Sequence, residues 1–194
     1  MGHKTPLFHE HQAMGASSVP FGGWDMPVHF GSQLEEHHAV RRDAGMFDVS
    51  HMRVIDLEGT GAIGFLRRLL ANDVGKLGDA GKALYSCMLN ERGGVIDDLI
   101  IYYRCPGRYR MVVNAATADK DLAWMKDQVK DHEVAIQPRE DLAMIAVQGP
   151  NAREKAGPLL PAHLREPAAA LKPFFAAESD SWFVGRTGYT GEDG

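Results

Sequence analysis

The 194-residue chain is poor in cysteine, with only Cys87 and Cys105. Two thiols are too few for a disulfide scaffold or a Cys-rich zinc site, and they read as small buried apolar side chains in a reducing compartment. No apolar run approaches the ~20 residues a membrane helix needs. The opening Met1-Gly-His-Lys-Thr-Pro6 lacks the apolar core of a secretory signal, so the expectation is a cytoplasmic protein with no membrane partner. Positive charge is not in excess: 21 Lys+Arg face 26 Asp+Glu, a net charge of −5. That balance argues against a nucleic-acid partner, though a local basic patch remains open. The glycines form no phosphate loop and no strand-borne dinucleotide fingerprint. Ser50-His51 has no nucleophile elbow around it.

What is present is ordinary globular material, with 44% hydrophobic residues, 21 Gly and 10 Pro. A chain of this size buries roughly 70% of its unfolded surface. The pattern predicts a mixed α/β protein. A polar, His-rich helix is expected over 33–42, and helices over 62–70, 118–132 and about 152–160. Strands are expected over 49–57, 83–89, 95–103, 109–115, 134–137, 142–147 and 182–186. The segment 90–94, with Gly93 and Gly94, reads as a hairpin turn, and the Thr117 hydroxyl as an N-cap. Residues 21–27 should be ordered by packing rather than by regular structure. Between 49 and 138 the order resembles a split β-α-β unit of ferredoxin type with one added strand. The strands near 50 and 138 would then lie side by side, and the unit could be an insertion in another domain. The turn-like 187–194, with no returning strand after 182–186, reads as part of a longer protein.

Asp97 and Asp98 interrupt the most apolar strand. Alternation sends Asp97 to one face with Leu99 and Ile101, and Asp98 to the other with Ile100 and Tyr102. One of the two should meet an apolar surface, where desolvation raises a carboxyl pKa and suits it to proton transfer. The bland alternative is an Arg partner for Asp98 and turn amides for Asp97. Asn114 reads either as a pocket-lining amide or as a strand-end turn former. The nine histidines, including the adjacent His37 and His38, form no metal-binding pattern and read as surface and packing residues. No metal is expected.

Individual strings carry more. Phe21-Gly-Gly-Trp-Asp-Met-Pro, Glu36-His-His-Ala-Val-Arg, Asp43-Ala-Gly-Met-Phe-Asp-Val-Ser-His-Met, Leu70-Ala-Asn-Asp-Val, Gly81-Lys-Ala-Leu-Tyr-Ser, Gly93-Gly-Val-Ile-Asp-Asp-Leu, Val112-Val-Asn-Ala, Ala146-Val-Gln-Gly-Pro and Thr187-Gly-Tyr-Thr-Gly-Glu run in order through the chain. Together they resemble the T-protein family of the glycine cleavage system, the tetrahydrofolate-dependent aminomethyltransferases. The resemblance implies an α+β fold: a discontinuous folate-binding domain, here 1–50 and 140–194 and incomplete, with an inserted ferredoxin-like unit over 51–139. A C-terminal β domain, together with a pterin-binding glutamate and an arginine, would lie beyond residue 194. It implies transfer of a one-carbon unit from the aminomethyl-lipoyl arm of H-protein to tetrahydrofolate, with Asp97 as catalytic aspartate. Met52, Tyr85, Leu99, Asn114 and Tyr189 fall on stretches that line the family's folate cavity, with packing as the bland reading of the two tyrosines. The alternatives are a folate-dependent demethylating relative and a non-catalytic folate-binding protein of the same fold.

Overall fold

The computed structural model describes residues 2–179, 181–188 and 193–194. In chain order its elements are α1 (Phe8–Ala13), β1 (Ser17–Phe21), β2 (Trp24–His29), α2 (Gln33–Arg42), β3 (Gly45–Asp48), β4 (Arg53–Glu58), α3 (Ala62–Leu69), β5 (Ala83–Leu89), β6 (Val95–Cys105), β7 (Arg108–Val113), α4 (Ala118–Gln128), β8 (Ala135–Pro138), β9 (Ile145–Gln148), α5 (Ala152–Ala156), α6 (Ala162–Ala169), β10 (Phe175–Glu178) and β11 (Phe183–Arg186). The chain divides into two compact units. One comprises Met1–His51, Leu142–Pro173 and Ala177–Gly194, and the other Met52–Asp141 with Phe174–Ala176.

The second unit is built on a five-stranded sheet of order β5-β6-β7-β4-β8. All its neighbours pair antiparallel. The first strand of the unit, β4, pairs directly with the last, β8, as the strand pattern leads one to expect. Alternation assigns the two faces. Ile55, Leu57, Leu99, Ile101, Met111 and Val113 point to one of them and join Phe65, Leu66 and Leu69 of α3 and Met125 of α4 in a single core. Phe65, Leu66 and Met125 are fully buried there, each contributing on the order of 2 kcal/mol of transfer free energy. The turn between β5 and β6 closes through Asn90, whose N–H donates to the Gly94 carbonyl at 2.8 Å. Gly93 there has φ +78°, a left-handed conformation that a Cβ would strain.

The first unit holds the antiparallel hairpin β1-β2 and the antiparallel pair β3-β9. Inside it the Asp48 carboxylate accepts from the Thr5 hydroxyl at 2.6 Å, the Ser50 N–H at 2.9 Å and the His11 ring at 2.9 Å. Burial opposes ionisation of Asp48, but these hydrogen bonds prevail and hold its carboxyl below the usual range.

Several expectations need correction. The strand expected over 49–57 begins only at Arg53, as β4; Val49 to Met52 link it to a separate strand, β3, that ends at Asp48. Regular structure does occupy residues 21–27, because Gly22 (φ +55°) and Gly23 (φ +87°) make the tight turn of β1-β2. Positive φ at both central residues is the hairpin turn that matches strand twist. The strand over 182–186 does not lack a mate, since β11 pairs with β10. Among the described residues no helix is long and apolar enough to cross a membrane, and no cluster of His, Cys, Asp or Glu could hold a metal ion. Both cysteines are free thiols.

Candidate active site

β6 delivers Asp97 to the helix-covered face of the sheet, where it is only 7% exposed. Three donors reach its carboxylate. The Asn114 side-chain amide donates to Oδ1 at 3.0 Å, the Asn114 backbone N–H to Oδ2 at 3.3 Å, and the Thr117 hydroxyl to Oδ2 at 2.8 Å. Asn114 stands one residue beyond β7, and Thr117 at the start of α4. The strand-to-helix connection therefore folds over the carboxylate. Thr117 does occupy the N-cap position, but its side chain makes no cap hydrogen bond to the helix; the hydroxyl serves Asp97 instead.

The chemistry of Asp97 departs from the expected rise in pKa. Burial does push it upward, but the hydrogen bonds from Asn114, Thr117 and Asp121 outweigh burial and the carboxyl is lowered. A carboxylate that accepts several hydrogen bonds is stabilised in its charged form. Asp97 is thus a buried anion in a fixed orientation. The carboxyl that desolvation raises is Asp121 on α4, pushed up to about 7 by burial and then by the neighbouring Asp97.

The same Asn114 amide also lies 3.2 Å from Asp98 Oδ1 and 3.0 Å from the Asp98 carbonyl. Asp98 in turn accepts from the Tyr85 hydroxyl at 2.6 Å. One hydrogen-bonded chain therefore runs Tyr85–Asp98–Asn114–Asp97–Thr117 across the end of the sheet. Tyr85 is 45% exposed. Leu99 neighbours the two aspartates in β6, yet its side chain is 3% exposed and packs in the core. Met52 stands just before β4, half-buried, outside the hydrogen-bonded chain. Tyr189 lies outside the described residues.

Two participants escaped sequence reasoning, the hydroxyl role of Thr117 and the presence of Asp121. A signal for the second existed. Ala118, Asp121 and Met125 are the buried positions of α4, so Asp121 occupies an apolar stripe at helical spacing where a charge is out of place.

Comparison with known proteins agrees in one direction. An aminomethyltransferase from Pseudomonas syringae pv. tomato is 58% identical over 194 residues, covering 100% of this chain and 54% of that protein. An aminomethyltransferase from Bordetella bronchiseptica is 61% identical, covering 98% of this chain and 53% of that protein. The crystal structure of glycine cleavage system aminomethyltransferase T from Bartonella henselae superposes with a TM-score of 0.90 at 35% identity, covering 100% of this chain and 52% of that one. The chain thus spans about half the length of the curated relatives it matches. The family described as GCVT N-terminal domain matches residues 7–194, and the chain belongs to it.

Proposed function

We propose that the protein carrying this chain is an aminomethyltransferase of the glycine cleavage system. It moves the one-carbon unit from the aminomethyl-lipoyl arm of H-protein to tetrahydrofolate. The products are 5,10-methylenetetrahydrofolate, ammonia and dihydrolipoyl H-protein. Two carbon–nitrogen bonds to folate form, while the carbon–sulfur bond to the lipoyl arm and the carbon–nitrogen bond to the departing ammonia break. The two protons leaving the folate nitrogens balance those taken up by the thiol and the ammonia.

The observation that carries this reading is the oriented, ionised carboxylate of Asp97. Positive charge develops at the carbon in transit, and a fixed anion in a water-poor site stabilises it without reorganising. The same carboxylate can accept an N–H from folate and take its proton. The neighbouring groups suit a flat heterocycle rich in N–H donors. Asp98 adds a second acceptor, Tyr85 a half-open ring, and Asn114 fixes the relation of the two carboxylates. Leu99 would support the site from behind, while Met52 and Tyr189 would contribute to the wall. No metal has a part in this scheme. A cytoplasmic location belongs to the same reading. The two compact units support a domain division into 1–50 with 140–194 and an inserted ferredoxin-like domain over 51–139. The names of the relatives lend nothing to a demethylating enzyme or a non-catalytic folate binder.

The test is Asp97→Asn, which keeps shape and removes charge. Turnover with aminomethyl-lipoyl H-protein and tetrahydrofolate should fall by about 10²–10⁴, the usual contribution of an acid–base group, with the circular dichroism spectrum unchanged. Near-normal transfer by the variant would overturn the assignment.

A further inference from the structure

Behind Asp97 lies a second carboxyl that the reaction outlined above does not use. Asp121 is 0% exposed. Neither of its oxygens receives a hydrogen bond from an N–H or O–H of a neighbour. The donors nearby are committed elsewhere. Thr117 gives its hydroxyl proton to Asp97 at 2.8 Å, and the Lys120 ammonium donates to the Ile96 carbonyl at 2.7 Å. The side chains that meet Asp121 are Thr117, whose hydroxyl proton is given to Asp97, and the Asp97 carboxylate itself. Two ionised carboxylates in contact, one with no donor, would be an uncompensated buried charge. A proton on Asp121 removes the difficulty, because the carboxylic acid can then donate to Asp97.

We propose that Asp97 and Asp121 form a carboxyl pair that holds one proton between them, with Asp121 as a positioning residue that keeps the proton on the inner side. Asp121 thereby presents Asp97 to a ligand as the ionised, outer member. The pair stands on the burial of Asp121, its oxygens without a partner, and its place one helical turn after Thr117, whose hydroxyl bonds Asp97, whereas its use in one-carbon transfer rests on the function proposed above. Among the described residues the charged groups acting on Asp121 are Asp97 from β6 and Lys120 from its own helix. Burial and Asp97 raise its carboxyl, the Thr117 hydroxyl and Lys120 oppose them, and the net result is about 7. Such a pair titrates as a unit, in two well-separated steps.

The experiment is a carboxyl-carbon NMR titration of the 194-residue chain labelled at aspartate, from pH 3 to pH 9. One aspartate should titrate at about 7, and Asp121→Asn should abolish that transition. In Asp97→Asn the same transition should move down by at least about one pH unit, because the like charge is gone. Asp121→Asn retains a donor toward Asp97 and should leave the Asp97 midpoint close to its original value. Asp121→Leu removes the donor and should raise that midpoint by about one pH unit or more. A merely structural aspartate would not move it. No aspartate midpoint above about 5 in the unmodified chain, which needs no variant to fold, would overturn the proposal, as would a transition that survives Asp121→Asn. The titration requires no folate, so loss of the aminomethyltransferase reading, seen as normal turnover of Asp97→Asn, is a separate result.

Discussion

Asp97 gains its character from residues that follow it at a distance in sequence. The strand pattern exposes the conflict of a carboxylate among apolar neighbours, and it gives the face correctly. It does not reveal how the conflict is resolved, because Asn114 and Thr117 reach back from the β7–α4 connection, and only the folded register brings them there. The expected upward pKa shift therefore belongs to Asp121, while Asp97 shifts down. Thr117→Val tests this. It deletes the 2.8 Å hydroxyl donor and leaves a buried acceptor oxygen with one bond fewer. We expect a stability loss of about 1–3 kcal/mol in urea unfolding and a higher Asp97 midpoint in the carboxyl titration. A variant with unchanged stability and unchanged midpoint would show that the hydroxyl contributes nothing.

At the scale of elements, β4 is joined to its neighbours by charge as well as by ladder hydrogen bonds. Asp56 stands opposite Arg110 of β7. The guanidinium grips it with two bonds of 2.8 Å, and Arg139, just after β8, adds a third at 2.7 Å. The Asp56 and Arg110 side chains are 3% and 8% exposed. Burial opposes the charged form of Asp56, but the arginines prevail and hold its carboxyl low. Removing one member of a buried ion cluster leaves uncompensated charge, so Asp56→Asn should cost about 3–5 kcal/mol. Urea unfolding would measure it, and a loss under about 1 kcal/mol would mean that water or another group compensates. This network was invisible in the sequence, since nothing local distinguishes Asp56 or Arg110 from solvent-facing charges on alternate strand positions. By contrast α3, β5 and β6 were legible almost to the residue, because hydrophobic period or turn glycines mark them, and α2 was legible from its polar, helix-favouring composition ahead of Gly45. The hairpin β1-β2 was not. Its strands carry no clean alternation, and Ser17–Phe21 is exposed along its whole length, so only the Gly22-Gly23 turn could have announced it.

For the whole molecule, the opposing pKa shifts predict how stability depends on pH. Asp121 is raised from 3.8 to about 7. Between those values the folded chain binds a proton that the unfolded chain does not. Its stability therefore falls as pH rises from 4 to 7, by up to about 4 kcal/mol at 1.36 kcal/mol per pH unit. Asp56 and Asp97 are lowered, so their contributions are present above the unfolded value of 3.8 and are lost as the pH falls through their folded values. Together these terms place the stability maximum of the Met52–Asp141 unit near pH 4–5, below neutrality. The other unit carries an opposing term. Burial lowers His51, with only partial compensation from Asp48. Its contribution is therefore present above the unfolded histidine value of 6.5 and lost as the pH falls through the lower folded one. The two units must be read separately, and the tryptophans permit it: Trp124 lies in α4, whereas Trp24 and Trp182 belong to the first unit. With Trp24→Phe and Trp182→Phe as background, urea unfolding followed by Trp124 fluorescence should show a higher midpoint at pH 5 than at pH 8. Adding Asp121→Asn should flatten that difference, because the amide has no proton to lose. Equal midpoints at the two pH values before Asp121 is replaced would mean that the buried carboxyl is not protonated in the folded chain. The one-proton description of the pair would then fall with it.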